Sequence, residues 1–358
     1  MVTKCRCTRN RMALRAEITL RGPFVTNPYR TSGGFLHSSS DGQTFQTAIP
    51  TFNARHSPKY FGLGKGVVSY TLVMNHVPAN AELLSPHDHE SHFVFDVVFN
   101  NTTDSTPTVH STDTHGTNHV NFALLHLFGH AFAPRYRDVQ EKIRTSLYGF
   151  KHPSQYGDVF MPPVRKLNTD LIRAEWDNIQ RIGVSLALKT TTQSIIVGKL
   201  NASTRRNKTC QALWEYDNAL SSRYLLDYVD LPPLRKNVQR ALNRGENYNQ
   251  LRRAVSHANF GKLRFRTEEE QQLWHECSRL LTNCIILTNM TILSQLWTER
   301  ITAGDTEGAA RLTKVSPVAW QHINFYGRFA FTAWPDPIDI AAIVAALARL
   351  PIGEARVN

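Results

Sequence analysis

Strand-like and helical signals are distributed unevenly along this chain: the strands lie ahead of residue 139, and nearly everything after it carries helical spacing. Residues 67–73 (VVSYTLV) are the clearest strand, because β-branched and aromatic side chains suit a packed, pleated surface. Residues 108–112 read as a short strand running into a turn at Gly116. Residues 118–128 place Val120, Ala123, Leu124 and Leu127 at helical spacing. Residues 92–99 are apolar but too short for periodicity to choose between helix and strand. No periodicity assigns residues 1–34.

Beyond residue 139, segments 167–187 and 211–228 are candidate helices, and Pro232-Pro233 punctuates the start of another. Residues 268–299 predict a long helix, with Thr267 as cap and Glu270 three residues on. Ser316-Pro317 predicts the start of a short one. Strands and helices followed by a helical block predict an α/β core with helical additions.

The 358 residues carry 41 Lys and Arg against 29 Asp and Glu, a net charge of +12. That excess favours a polyanionic partner, since Lys and Arg that neutralise phosphates release condensed counterions. Five cysteines without C-x-x-C spacing argue against a zinc site or a disulfide framework and fit a reducing cytoplasm. No apolar run approaches the ~18 residues of a membrane span, and residues 1–15 are basic without the apolar segment of a secretory signal.

Three acidic positions stand out as candidate metal ligands. Asp41 lies in S-S-S-D-G-Q, Asp113 in H-S-T-D-T-H-G at the end of the short strand, and Glu246 in N-R-G-E within helical pattern and basic surroundings. Hard divalent cations take carboxylate oxygens, and phosphoryl transfer gains from two metals held ~3.5–4 Å apart. The residue types leave other readings open: Asp-Gly is a common turn pair, an Asp at a strand end often caps a turn, and several glutamates compete with Glu246.

Residues 235–266 carry Arg235, Lys236, Arg240, Arg244, Arg252, Arg253, Lys262, Arg264 and Arg266, interleaved with Tyr248, His257, Phe260 and Phe265. Such a stretch can hold phosphates while its aromatics stack on unpaired bases; a solvated helix face is the plainer alternative. The H-D-H-E-S-H run at 87–92 has metal-ligand residue types, but nothing elsewhere completes a set, so it reads as a polar loop. Gly62-Leu63-Gly64-Lys65-Gly66 lacks the spacing of a phosphate-binding loop and reads as a glycine turn. Trp176, Trp214, Trp274 and Trp320 read as core anchors.

Longer strings carry a resemblance. Residues 52–66, 110–118, 135–138, 148–156, 189–199, 240–253 and 315–327 closely resemble the Tn-three family of replicative transposases, and the likeness spans roughly residues 38–340. It implies an RNase H-like mixed-sheet core with a large helical insertion and C-terminal helices, bearing a catalytic Asp-Asp-Glu triad. Asp41 falls on the first aspartate and Asp113 on the second, 72 residues downstream (113 − 41). Glu246 falls on the glutamate, a further 133 residues on (246 − 113).

The implied organisation is an unmatched segment 1–34, a first part of the catalytic core at 35–138, a mostly helical insertion at 139–233, the remainder of the core at 234–266, and a C-terminal helical region at 267–358. Family members carry N-terminal domains that recognise the transposon's inverted repeats, so the resemblance implies a chain truncated at its N-terminus. It further implies two Mg²⁺ ions, replaceable by Mn²⁺, and transposon-end and target DNA as partners. A homo-oligomer on DNA, no membrane, and a bacterial cytoplasmic, nucleoid-associated location complete the expectation. The function it implies is metal-dependent 3′-end nicking and strand transfer in replicative transposition; the alternative is a truncated, catalytically inactive DNA-binding remnant.

Overall fold

The computed structural model describes residues 36–101, 103–158, 161–202, 207–327 and 338–349, so the reading of residues 1–34 lies outside the described residues. The first half builds a mixed sheet from β1 (His37–Thr47), β2 (Arg55–His56), β3 (Lys65–Met74), β4 (Val77–Leu84), β5 (Val109–Ser111) and β6 (Ala131–Phe132). Three short helices interrupt these strands, α1 (Pro58–Phe61), α2 (Val94–Phe99) and α3 (Asn121–Leu127). Residues 92–99, ambiguous by pattern, are thus mostly helix.

β3 runs antiparallel to β1, β2 and β4, whereas β1 runs parallel to β5, and β5 parallel to β6. The β3–β4 turn consists of Asn75 and His76, both at positive φ (45° and 80°), as a two-residue hairpin turn of matching twist requires.

Strand β1 was not legible as a strand, because its sequence HSSSDGQTFQT is almost wholly polar. It is nevertheless central, and its alternation is spent on two different partners. Ser38 and Ser40 face the buried His110 ring, with Ser38 Oγ 2.8 Å from Nδ1 and Ser40 Oγ 2.9 Å from Nε2. Ser40 Oγ also lies 2.5 Å from the Tyr70 hydroxyl. The odd-numbered residues Ser39, Asp41, Gln43 and Phe45 face a helix from the far end of the chain.

The second half is helical as its pattern predicts: α4 (Val139–Ser146), α5 (Thr169–Ala174), α6 (Trp176–Ala187), α7 (Gln193–Ala202), α8 (Lys208–Asp230), α9 (Pro232–Val255), α10 (Glu268–Thr302), α11 (Thr306–Leu312) and α12 (Ile340–Ala348). A small parallel pair, β7 (Tyr148–Gly149) and β8 (Arg165–Lys166), lies among them. The segment expected to be one helix over 167–187 breaks at Glu175, whose carboxylate accepts from Asn178 (2.6 Å) and Thr209 (2.7 Å). The Ser316-Pro317 segment forms a turn instead of the predicted helix. There the carbonyls of Pro317 and Ala319 accept from the Asn289 amide of α10 at 2.9 and 2.7 Å, so they are satisfied without helical bonds.

The sheet is covered on both faces. Val68, Tyr70 and Leu72 pack with α2, α3, α6 and α8 through Phe95, Leu124, Ile179 and Leu213. Val73 packs with Tyr248 and Leu251 of α9 and with Ile286 and Met290 of α10, while Phe45 and Val67 pack with Trp274. Trp176, Trp214 and Trp320 are half-buried against these clusters, as anchors should be. α10 opens with the predicted Thr267–Glu270 capping box and is the one helix among the described residues long and apolar enough to cross a membrane. Its apolar side is occupied by β4, α9, α11 and α12.

Candidate active site

β5 pairs with β1 only along His37–Ser39. β5 ends there while β1 continues, so Asp41 lies just past the C-terminal end of its parallel neighbour, a position where open α/β sheets commonly bind ligands. Asp41 stands mid-strand opposite Thr71, not in the turn that Asp-Gly alone would allow. Its Oδ1 accepts from the Gly42 N–H at 2.9 Å and its Oδ2 from the Asn249 side chain at 3.0 Å.

Asp113 lies two residues past the end of β5 and caps the turn Thr114–Gly116. Its Oδ1 accepts from the His115 and Gly116 backbone N–H groups at 2.9 and 3.1 Å, and its Oδ2 lies 3.1 Å from the His115 ring. The capping role and the site position therefore coincide in one residue.

Glu246 is brought in by α9, which lies along β1. Ser39 donates to the Ala241 carbonyl at 2.8 Å and Gln43 to the Asn249 carbonyl at 2.8 Å. The glycine of N-R-G-E permits this approach: a Cβ on Gly245 would sit 3.3 Å from Ser39 Oγ. Glu246 is exposed at this contact, one turn before Asn249.

Electrostatics ties the three positions together. The Asp41 carboxyl is pushed up to about 6, first by burial, then by the charge of Asp113, and also by Glu246. A fourth acid belongs to the same field. Glu90, at the head of the short helical turn Glu90–His92, is pushed up to about 7 by burial and by the charges of Asp41 and Asp113, with His115 opposing. Sequence reasoning missed Glu90 because it sits in the histidine-rich loop 87–92; no signal in the run singles it out until the fold sets that loop against Gly42. Among the described residues no three His, Cys, Asp or Glu groups are drawn close enough to form a ready ligand shell. The donors are all carboxylate oxygens, which suits a hard divalent cation better than a soft or imidazole-seeking one.

The basic stretch divides by exposure. Lys236, Arg240, Arg253, Lys262, Arg264 and Arg266 are exposed. Arg252 is not available to a phosphate: it is 0 % exposed. It donates to Ser69, to Thr71 at 3.3 Å and to Ser278 at 3.2 Å, between the rings of Phe45 and Trp274. Arg235 is turned back onto the Tyr228 and Val229 carbonyls (both 2.6 Å), closing the end of α8. Arg244 is half-buried, close enough to His37 and His76 for its charge to help hold both imidazoles neutral. Of the interleaved aromatics, Tyr248 is core, whereas Phe260 is 99 % exposed on left-handed backbone (φ 56°).

A family described as the Tn3 transposase DDE domain matches residues 27–329, beginning inside the stretch read as unmatched from sequence. Relatives include the transposase for transposon Tn3926 of Escherichia coli, 34 % identical over 314 residues that make up 86 % of this chain and 31 % of that protein. The transposase for transposon Tn501 of Pseudomonas aeruginosa is 33 % identical over 82 % of this chain and 30 % of its own length. The transposase for transposon gamma-delta of Escherichia coli K12 is 29 % identical over 85 % of this chain and 30 % of its own. The chain thus spans about 30 % of the length of these relatives.

Proposed function

Because the chain belongs to the Tn3 transposase DDE domain family, we propose that it is a metal-dependent DNA nicking and strand-transfer domain in which Asp41, Asp113 and Glu246 hold two Mg²⁺ ions, replaceable by Mn²⁺. The observation that supports this reading is that the charges of Asp113, past a strand end, and of Glu246, on a helix 205 residues downstream (246 − 41), both bear on the Asp41 carboxyl in the central strand. The antiparallel strands continued by two parallel ones are consistent with the RNase H-like core that the resemblance implies.

Bound metal supplies Lewis-acid activation of the attacking oxygen and stabilises the leaving one. The chain's own groups do the rest. Asn249 and the Gly42 N–H fix both oxygens of Asp41, and the backbone of the 114–116 turn fixes Asp113. His115, 3.1 Å from Asp113, is placed to orient a substrate phosphate. Arg253 lies two helical turns beyond Glu246 on the same exposed face of α9, and with Lys236, Arg240, Lys262, Arg264 and Arg266 it would grip the DNA backbone. Transposon-end and target DNA are the proposed partners, engaged by a homo-oligomer.

The test is strand transfer by this chain with pre-cut 3′-OH ends and a target duplex in Mg²⁺ or Mn²⁺. The wild type should yield a metal-dependent joined species, and Asp113→Asn should lower it at least about a hundredfold, since groups merely supporting a metal ligand cost ten- to a hundredfold. Full activity in that variant would remove the triad assignment. DNA binding with no nicked or joined product in either metal would leave an inactive DNA-binding chain, and cutting without joining a nuclease.

A further inference from the structure

Resting on the metal-site reading above, we propose that Glu90 is a fourth carboxylate of the site and ligates a divalent cation beside Asp41 and Asp113. Three features of the structure converge on it.

The first is fixation. The carbonyl of Ser91, the peptide immediately after Glu90, accepts from three side-chain amides: Asn118 at 2.7 Å, Asn121 at 3.1 Å and Gln193 at 3.2 Å. Asn121 also donates to the Gly116 carbonyl at 2.9 Å. The turn carrying Glu90 and the turn capped by Asp113 are therefore bolted to one buried amide, that of Asn121. An acid serving only solubility would not need its backbone held by groups from α3 and α7.

The second is contact with the strand that bears Asp41. Gly42 leaves open the space that Glu90 enters: a Cβ there would fall 2.0 Å from Glu90 Oε1 and 2.9 Å from a Val68 methyl. The Glu90 carboxylate thus lies against the β1 backbone next to Asp41, beside Val68 of β3.

The third is charge. Glu90 is half-buried and forms no salt bridge with Lys, Arg or His among the described residues. The charges of Asp41 and Asp113 act on it more strongly than the opposing His115, and like charges crowded out of water are costly. Two divalent ions bring four positive charges, which three carboxylates leave unbalanced and four match. Near-octahedral Mg²⁺ also needs more oxygen ligands than a triad alone provides.

The experiment is Mn²⁺ titration of the DNA-free chain followed by the EPR signal of free Mn²⁺, alongside the metal-induced rise in melting temperature. Wild type, Glu90→Gln, Glu90→Asp and Asp113→Asn are compared, each first checked for folding in EDTA. Glu90→Gln should bind Mn²⁺ at least about tenfold more weakly while melting in EDTA no lower than wild type, and Glu90→Asp should recover part of the affinity. Glu90→Gln matching wild type while Asp113→Asn loses affinity would overturn the fourth ligand and leave the triad standing. Both variants matching wild type would overturn both readings. Should Glu90→Gln fail to fold, Glu90→Asp decides, because a ligand shortened by one methylene must weaken binding and a purely structural acid need not.

Discussion

Asp41 and Glu90 ionise reluctantly because burial and neighbouring carboxylates disfavour their charged forms. A carboxyl raised on folding binds its proton more tightly in the native state, so its contribution is present at low pH and lost as pH rises through the raised value. Without metal, these two groups should lower stability as pH climbs from about 4 to about 6 for Asp41 and about 7 for Glu90. Asp41→Asn should flatten that decline in urea melts performed in EDTA, and an unchanged slope would contradict the assignment. The buried imidazoles act in the opposite sense. Burial holds His110 down at about 3 and His37 at about 4, so their contribution is complete above about 6.5 and lost as pH falls toward those values. NMR of the His110 ring should therefore show a neutral imidazole at pH 5; an imidazolium signal there would refute its enclosure by Ser38 and Ser40. These serines also show why the site was only partly legible in the sequence. The S-S-S-D run looks like loop because its polar atoms meet partners at 110, 241 and 249, and such distant pairings leave no local period.

The β1–α9 contact is the element on which the proposed site depends, and beside it lies Arg252, the fully buried arginine of the basic stretch. By residue type Arg252 and Arg253 are indistinguishable, yet helical rotation of about 100° per residue puts one in the core and the other in water. Arg252→Ala should cost about 3 kcal/mol or more of stability, since it strands the Ser69, Thr71 and Ser278 hydroxyls and removes a cation from between two rings. Arg253→Ala should change stability by no more than about 0.5 kcal/mol but reduce the salt dependence of DNA binding by about one unit of slope. Urea melts and DNA titrations between 50 and 200 mM salt check the pair, and swapped phenotypes would reverse the assignment. Other elements were legible where local chemistry suffices: Pro232 opens α9 and the Thr267–Glu270 box opens α10. The break at Glu175 was not, and there the carboxylate is held in part by the hydroxyl of Thr209, 34 residues away.

At the scale of the whole molecule, the order of strands before helices gave the class correctly, an α/β body whose sheet is covered by later helices. What the order could not reveal is that Glu246, the third proposed ligand, sits on a helix that packs back onto β1 from beyond the helical block. Ser39 meets Ala241 across 202 residues of sequence, and such closures come late, because the intervening chain must be ordered before the contact is gained. This separation has a consequence for a growing chain. At about 5–20 residues per second, roughly ten to forty seconds of translation separate the emergence of Asp41 from that of Glu246. Throughout that interval the emerged chain carries Asp41, and later Glu90 and Asp113, but not Glu246. If the proposed triad is required for cutting, a nascent chain of this design cannot nick DNA before Glu246 has emerged.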